Sequence, residues 1–227
     1  MNLREQVLEA NLALVSSGLV VDTFGNASGI DREKGLVVIK PSGVPYSDLK
    51  PADLVVTDLA GNIVEGALRP SSDLPTHLYL YKAFPQIGGV AHTHSRHATA
   101  WAQARREIPC FGTTHADYFR GTVPVTEEMT HQEISTDYEL NTGLVIERRF
   151  ANIDPLMMRA VLVANHAPFC WAKTPAEAAH VAFLLEEVAR LAYMTITIEA
   201  NAERVSDSLR DKHFMRKHGP KAYYGQQ

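Results

Sequence analysis

Apolar positions at Leu3, Val7, Leu8, Leu14 and Val15 recur at helical spacing, and Gly18 stops the pattern. An amphipathic helix is therefore expected over residues 3–17. Gly25-Asn26-Ala27-Ser28-Gly29 reads as a turn, and the apolar run Leu36–Ile39 as a buried strand ended by Pro41-Ser42-Gly43. Leu54–Asp58 and Ile63–Glu65 flank Gly61-Asn62, which predicts a hairpin. Ser71-Ser72-Asp73 ahead of Pro75 opens a helix to about Phe84, because N-cap residues precede a proline near the first helical position. A strand is expected over Ile87–Thr93 and a helix over Arg96–Arg105. Residues 106–143 are turn-rich and polar, and only short regular pieces are expected there. Ala160–Ala164 reads as a short strand running into Asn165-His166-Ala167-Pro168, where the proline favours a fixed loop. Thr174-Pro175-Ala176-Glu177 is a capping box that starts a long helix to about Glu199. Residues Asp207–Tyr224 are charged and aromatic, unlike a dispensable tail.

Helices at both ends with strands between them imply a layered α/β or α+β architecture. Hairpin signals outnumber clear βαβ units, so the central sheet should be mixed and largely antiparallel. No repeat or linker divides the chain, and one domain over 1–227 is expected. With 45% hydrophobic and 21% charged residues the composition is that of a soluble globular protein. The net charge of -4 makes no electrostatic case for nucleic acid or an anionic membrane. No apolar stretch approaches the roughly 20 residues of a membrane span, and Met1–Glu5 leads into the first helix without an apolar signal region. Cys110 and Cys170 form no CxxC and read as reduced thiols. A cytoplasmic protein is expected.

Ten histidines are many for this length, and their arrangement matters more than their number. His92 and His94 are two apart at the end of an expected strand, so both side chains project from one face, ~7 Å apart, and can converge on one ion. A pair of mutually hydrogen-bonded histidines is the plain alternative. His166 follows another expected strand, and Asp73 stands where a helix begins and could cap it, ligate a metal, or do both in different states. Three imidazoles and an oxygen suit zinc better than magnesium or calcium, which prefer oxygen shells.

Several motifs are specific and ordered: Lys40-Pro41-Ser42-Gly43, Arg69-Pro70-Ser71-Ser72-Asp73, His92-Thr93-His94-Ser95-Arg96-His97-Ala98-Thr99, Gly112–Tyr118 and Arg216–Gly225. Together they closely resemble the L-ribulose 5-phosphate 4-epimerase branch of the zinc-dependent class II aldolase family, from about Glu5 to Gln226. The resemblance implies a single three-layer α/β/α domain and a homotetramer with sites between subunits. It also implies metal ligation by His92, His94 and His166, with Asp73 in the position of a fourth group. Zinc is the implied ion, with manganese or cobalt as substitutes. The family's aldolases usually carry glutamate where this chain has Asp73, and the shorter side chain resembles the epimerase branch. Ala167 stands where glycine is usual, which requires a negative φ there, and Phe24 replaces a more usual tryptophan.

The implied activity is an isomerase reaction that interconverts L-ribulose 5-phosphate and D-xylulose 5-phosphate. The inverted carbon, C4, is β to the ketone, so its C–H is not acidic. Retro-aldol cleavage of C3–C4, rotation of bound glycolaldehyde phosphate and readdition avoids that barrier. Asp117 and Tyr224 occupy the family positions for proton acceptor and donor, with Tyr224 reaching a neighbouring subunit's site; His213 is a weaker candidate for orienting that end. Gly25, Asn26, Ser42, Gly43, Ser71 and Ser72 offer N–H groups, hydroxyls and a helix start for the phosphate, and Lys40 could add charge. His97 and His115 adjoin motifs as candidate supports for the ligands. His77 and His131 read as solvated, and His180 as packing or surface. A sugar-phosphate aldolase is the nearest rival, and a non-catalytic interaction module the more distant one.

Overall fold

Asn2 opens the first helix, α1 (Leu3–Ser16), by exchanging hydrogen bonds with Glu5 in a capping box. The computed structural model describes residues 2–224. Val7, Ala10, Asn11 and Leu14 form the buried stripe of α1. Asn11 is polar in this stripe because it stitches α1 to the sheet: its amide donates to Val7 O and Ala27 O and accepts the Ala27 N–H.

Seven strands follow: β1 (Asn26–Asp31), β2 (Leu36–Ile39), β3 (Val55–Asp58), β4 (Ile63–Glu65), β5 (Gly89–His92), β6 (Ala160–Leu162) and β7 (Pro168–Ala172). They form one sheet in the order β4-β3-β2-β1-β5-β7-β6. Every neighbouring pair of strands is antiparallel, so the expectation of a mixed sheet resolves to an antiparallel one. The remaining helices are α2 (Leu74–Ala83), α3 (Arg96–Gln103), α4 (Thr113–Ala116), α5 (His131–Ser135), α6 (Tyr138–Arg149), α7 (Pro175–Ile198) and α8 (Asp207–His218).

The sheet is covered on both faces. Helix α7 packs on β5 and β7 together with α1 and α3, while α2 pairs with α6 on the other side. There Phe84 and Phe150 meet Trp171 of β7. This is the three-layer arrangement implied by the resemblance. A Cβ at Gly29 would lie 2.6 Å from Pro175 Cγ and 2.9 Å from Leu3 Cδ1, so the absent side chain lets α1 and α7 close over β1.

Three sequence expectations need correction. Residues 25–29 are not a turn; from Asn26 they form a central strand paired to β2 and β5, and their small side chains suit the close helix packing. Pro168 begins β7 rather than a loop, which costs little because the first strand position can spare an N–H. Residues 138–149 are a full helix, which begins inside the stretch 106–143 where only short pieces were expected.

Candidate active site and metal centre

One row of side chains crosses three strands: Asn26 of β1 lies opposite His92 of β5, which lies opposite Phe169 of β7. His92 stacks on Phe169 with centroids 4.1 Å apart. Its Nδ1–H donates to Pro168 O at 2.9 Å. A carbonyl only accepts, so the neutral ring carries its lone pair on Nε2.

That Nε2 lies 3.2 Å from the Nε2 of His94. His94 is in the coil beyond β5 rather than on the strand, yet the spacing of two still turns both rings to one side. The turn between β6 and β7 delivers His166. Asn165 takes the left-handed conformation there, φ 61°, and Ala167 does not, so alanine in place of glycine is tolerated. One ligand atom from each of His92, His94 and His166 lies within 4.8 Å of the others. Two nitrogens bound to a tetrahedral ion at ~2.05 Å would be ~3.3 Å apart, close to the His92–His94 separation. Burial and the neighbouring imidazoles hold His166 in its neutral form, with a pKa lowered to about 3, and lower that of His94 in the same direction. The three residues could hold a divalent metal ion.

Asp73 borders this cluster. Its side chain makes no cap bond to α2; it accepts the Asn26 amide at 2.6 Å instead. Burial pushes its pKa up, but His92, His77 and the Asn26 bond outweigh this, so the carboxyl stays ionised. His77, expected to be solvated, is fully buried beneath the site on α2. Its Nδ1 meets Ser28 Oγ at 2.7 Å, and burial lowers its pKa to about 3.

Gly25, Asn26, Ser42, Gly43, Ser71 and Ser72 line the same cavity as Asp73 and the three histidines, a space of about 360 Å³. Two loops form its wall: the Ser42 N–H donates to Arg69 O, and the Ser71 N–H to Lys40 O. Those N–H groups hold the loops together and are not free for an anion. The Asn26 amide is likewise occupied by Asp73 and Ser71. The Ser42 and Ser72 hydroxyls and the N–H groups of Gly43 and Ser72 make no hydrogen bond among the described residues. Lys40 adds a cation in the wall: it is only 2% exposed, lies over the Tyr46 ring at 4.6 Å, and has no carboxylate partner among the described residues.

Asp117 and Tyr224 do not line this cavity. They meet each other's surroundings at α8. Arg216 pairs with Asp117, His213 Nδ1 lies 3.0 Å from its Oδ1, and His218 Nε2 donates to its carbonyl. The exposed Tyr224 ring lies under Arg216 and Lys217. Neither His97 nor His115 bonds a ligand imidazole directly: His97 bonds Glu186, and His115 donates to Gly121 O. Tyr138, whose hydroxyl lies 3.4 Å from His166 Nδ1, was missed in the sequence. No local signal marks it, because α6 reaches the site only through packing.

Comparison with known proteins gives the same frame. Residues 5–193 match the Class II Aldolase and Adducin N-terminal domain family. An L-fuculose 1-phosphate aldolase superposes with a TM-score of 0.78 at 28% identity, over 93% of each chain. YgbL from Klebsiella pneumoniae, described as a candidate aldolase/epimerase/decarboxylase, gives 0.73 at 25% identity, over 92% of this chain and 96% of that one. The L-fuculose 1-phosphate aldolase from Glaciozyma antarctica PI12 gives 0.78 at 15% identity, over 97% and 83%, a likeness of fold alone. With the family match running from α1 into α7, across the sheet and all three clustered histidines, the chain belongs to the class II aldolase and adducin N-terminal domain family.

Proposed function

We propose that the protein is a zinc-dependent epimerase that interconverts L-ribulose 5-phosphate and D-xylulose 5-phosphate by retro-aldol cleavage and readdition. The observation that carries this reading is one cavity lined by three clustered imidazoles, Asp73 and a donor-rich wall. His92, His94 and His166 would hold the ion, with Asp73 as the fourth group. When bound, the ion supplies Lewis-acid polarisation of the ketose oxygens.

The chain's own residues hold the phosphate and move protons. Gly43, Ser42, Ser72 and Lys40 take the phosphate, with Gly25, Asn26 and Ser71 shaping the wall behind it. Asp117 accepts the C4 hydroxyl proton on one face, and Tyr224 donates on the other. Both come from a second copy of the chain, since neither lines the cavity of its own, and a homotetramer with shared sites meets that need. Arg216 and Lys217 lie beside the Tyr224 ring. Asp73 in place of the aldolases' glutamate supports epimerase over aldolase. A cytoplasmic location accords with the two buried free cysteines.

A sugar-phosphate aldolase is the second reading, favoured by the likeness to L-fuculose 1-phosphate aldolase. The test is turnover of L-ribulose 5-phosphate before and after chelation, with zinc added back. D-xylulose 5-phosphate as the main product, lost on chelation and restored by zinc, is expected. Free glycolaldehyde phosphate and dihydroxyacetone as the main products would replace the epimerase with an aldolase.

A further inference from the structure

Helix α3 starts at Arg96, two residues beyond His94, and its N-terminus is capped from outside. Ser95 holds the N-cap position, but its side chain makes no cap bond to the helix. The carboxylate of Glu186, midway along α7, takes that place. It accepts the His97 N–H, 2.9 Å to Oε1 and 3.2 Å to Oε2, and the Ala98 N–H at 3.0 Å. These are the second and third helical N–H groups, the ones an N-cap side chain ordinarily satisfies. The His97 ring adds a bond from Nδ1 at 2.8 Å. A carboxylate at this point also meets the positive end of the helix dipole.

Glu186 is largely buried on a helix face whose neighbours Leu185, Val188 and Ala189 are core. Burial works against its charge, but the Ala98 and His97 donors outweigh it and hold the carboxyl below the usual range. A buried carboxylate is costly unless its oxygens are occupied, and here they tie α7 to the segment that follows His94.

His94 is the imidazole that needs such an anchor. His92 lies in β5 and bonds Pro168 O, and His166 meets the Tyr138 hydroxyl. His94 sits in the coil between β5 and α3, and its only hydrogen-bond approach among the described residues is to His92 itself. Beyond ring contacts with Phe24 and the other imidazoles, its place is therefore set through the backbone, by β5 on one side and the start of α3 on the other.

We propose that Glu186 is the positioning residue for His94, pinning the start of α3 to α7 so that the third imidazole stays aimed at the ion. The proposal rests on the metal-dependent reading above. Metal-free protein is titrated with cobalt, followed by its visible absorption, and with zinc in competition with a chromophoric chelator. The native chain is expected to take one ion. Glu186→Ala should weaken zinc binding about 10- to 100-fold and alter the cobalt spectrum. Glu186→Gln, which keeps one oxygen for the two N–H groups, should be intermediate.

Val188→Ala removes buried methyl groups from the same helix without touching α3's start. It should lower the unfolding midpoint and leave metal affinity and spectrum as in the native protein. Native protein that binds no cobalt overturns the metal reading and this proposal with it. Native protein that binds, while both Glu186 variants bind as tightly and with the same spectrum, overturns Glu186 alone. Equal loss of affinity in Val188→Ala assigns the effect to stability and also overturns it. If Glu186→Ala does not fold, Glu186→Gln decides by the same comparison.

Discussion

Arg216 grips Asp117 at two points, Nε to Oδ1 at 3.0 Å and Nη2 to Oδ2 at 2.7 Å. The paired residues lie at opposite sides of a long stretch of sequence, and α8 brings them together against α4. Burial pushes the Asp117 pKa up, but the Arg216 and His213 bonds outweigh it and lower it. As the proposed proton acceptor, Asp117 is thereby kept ionised at neutral pH while its basicity is held down. Removing the guanidinium with Arg216→Met should raise that pKa. The acid limb of the kcat/KM profile should move to higher pH with it. A limb that stays in place separates Asp117 from proton transfer.

Lys40 is a buried cation whose ammonium, among the described residues, meets the Pro41 carbonyl at 3.3 Å and the Tyr46 ring and no carboxylate. Burial lowers its pKa. If the phosphate is its missing counter-ion, Lys40→Met should raise KM for the phosphorylated substrate at least about tenfold, the weight of one charge-assisted bond. Stability of the ligand-free chain should hold or rise, because a buried charge gives way to an apolar chain of similar length. Steady-state kinetics and urea unfolding of the same variant check both halves.

Gly25 is bound to the site by its missing side chain. Its φ is +95°, and a Cβ would fall 2.8 Å from His92 O. Gly25→Ala should cost about 1–3 kcal/mol in stability. It should also weaken metal binding, because the strain is relieved by moving the backbone of His92. Calorimetric unfolding and zinc titration measure the two effects; an alanine variant with native affinity would show that β5 does not yield.

His115 is buried, and burial lowers its pKa to about 4 despite its bond to Gly121 O. The folded chain keeps the ring neutral while the unfolded chain takes a proton below pH 6.5. Stability is thus complete above pH 6.5 and falls as pH drops toward 4, by about 2 kcal/mol from this group at pH 5. His77, buried with a pKa of about 3, adds a loss of the same sign. His115→Gln keeps a donor for Gly121 but does not titrate, so its urea midpoint should fall less between pH 7 and pH 5 than that of the native chain.

Element type was legible where local signals agreed with tertiary demand. The capping residues of α7 and the turn beyond β3 act within a few residues, so they can be read directly. Reading failed where packing overrode local preference. Asn26–Gly29 has turn chemistry, yet its backbone is claimed by two neighbouring strands and its small residues by two helices. His77 looks polar on α2 but faces Ser28 across the sheet interface, and nothing in its neighbours along the chain records that.

The sequence by itself determined the histidine pair, the family and the residues that wall the cavity, because short motifs keep their order and spacing whatever the fold does around them. Only the tertiary structure decided which donors are spent. The Ser42 and Ser71 N–H groups hold two loops together, the Asn26 amide holds Asp73, and Glu186 caps the helix after His94. It also set Asp117 and Tyr224 at α8, outside the cavity of their own chain. Each of these is a hydrogen bond or a placement between segments far apart in sequence, and such partners are chosen by packing rather than by local pattern.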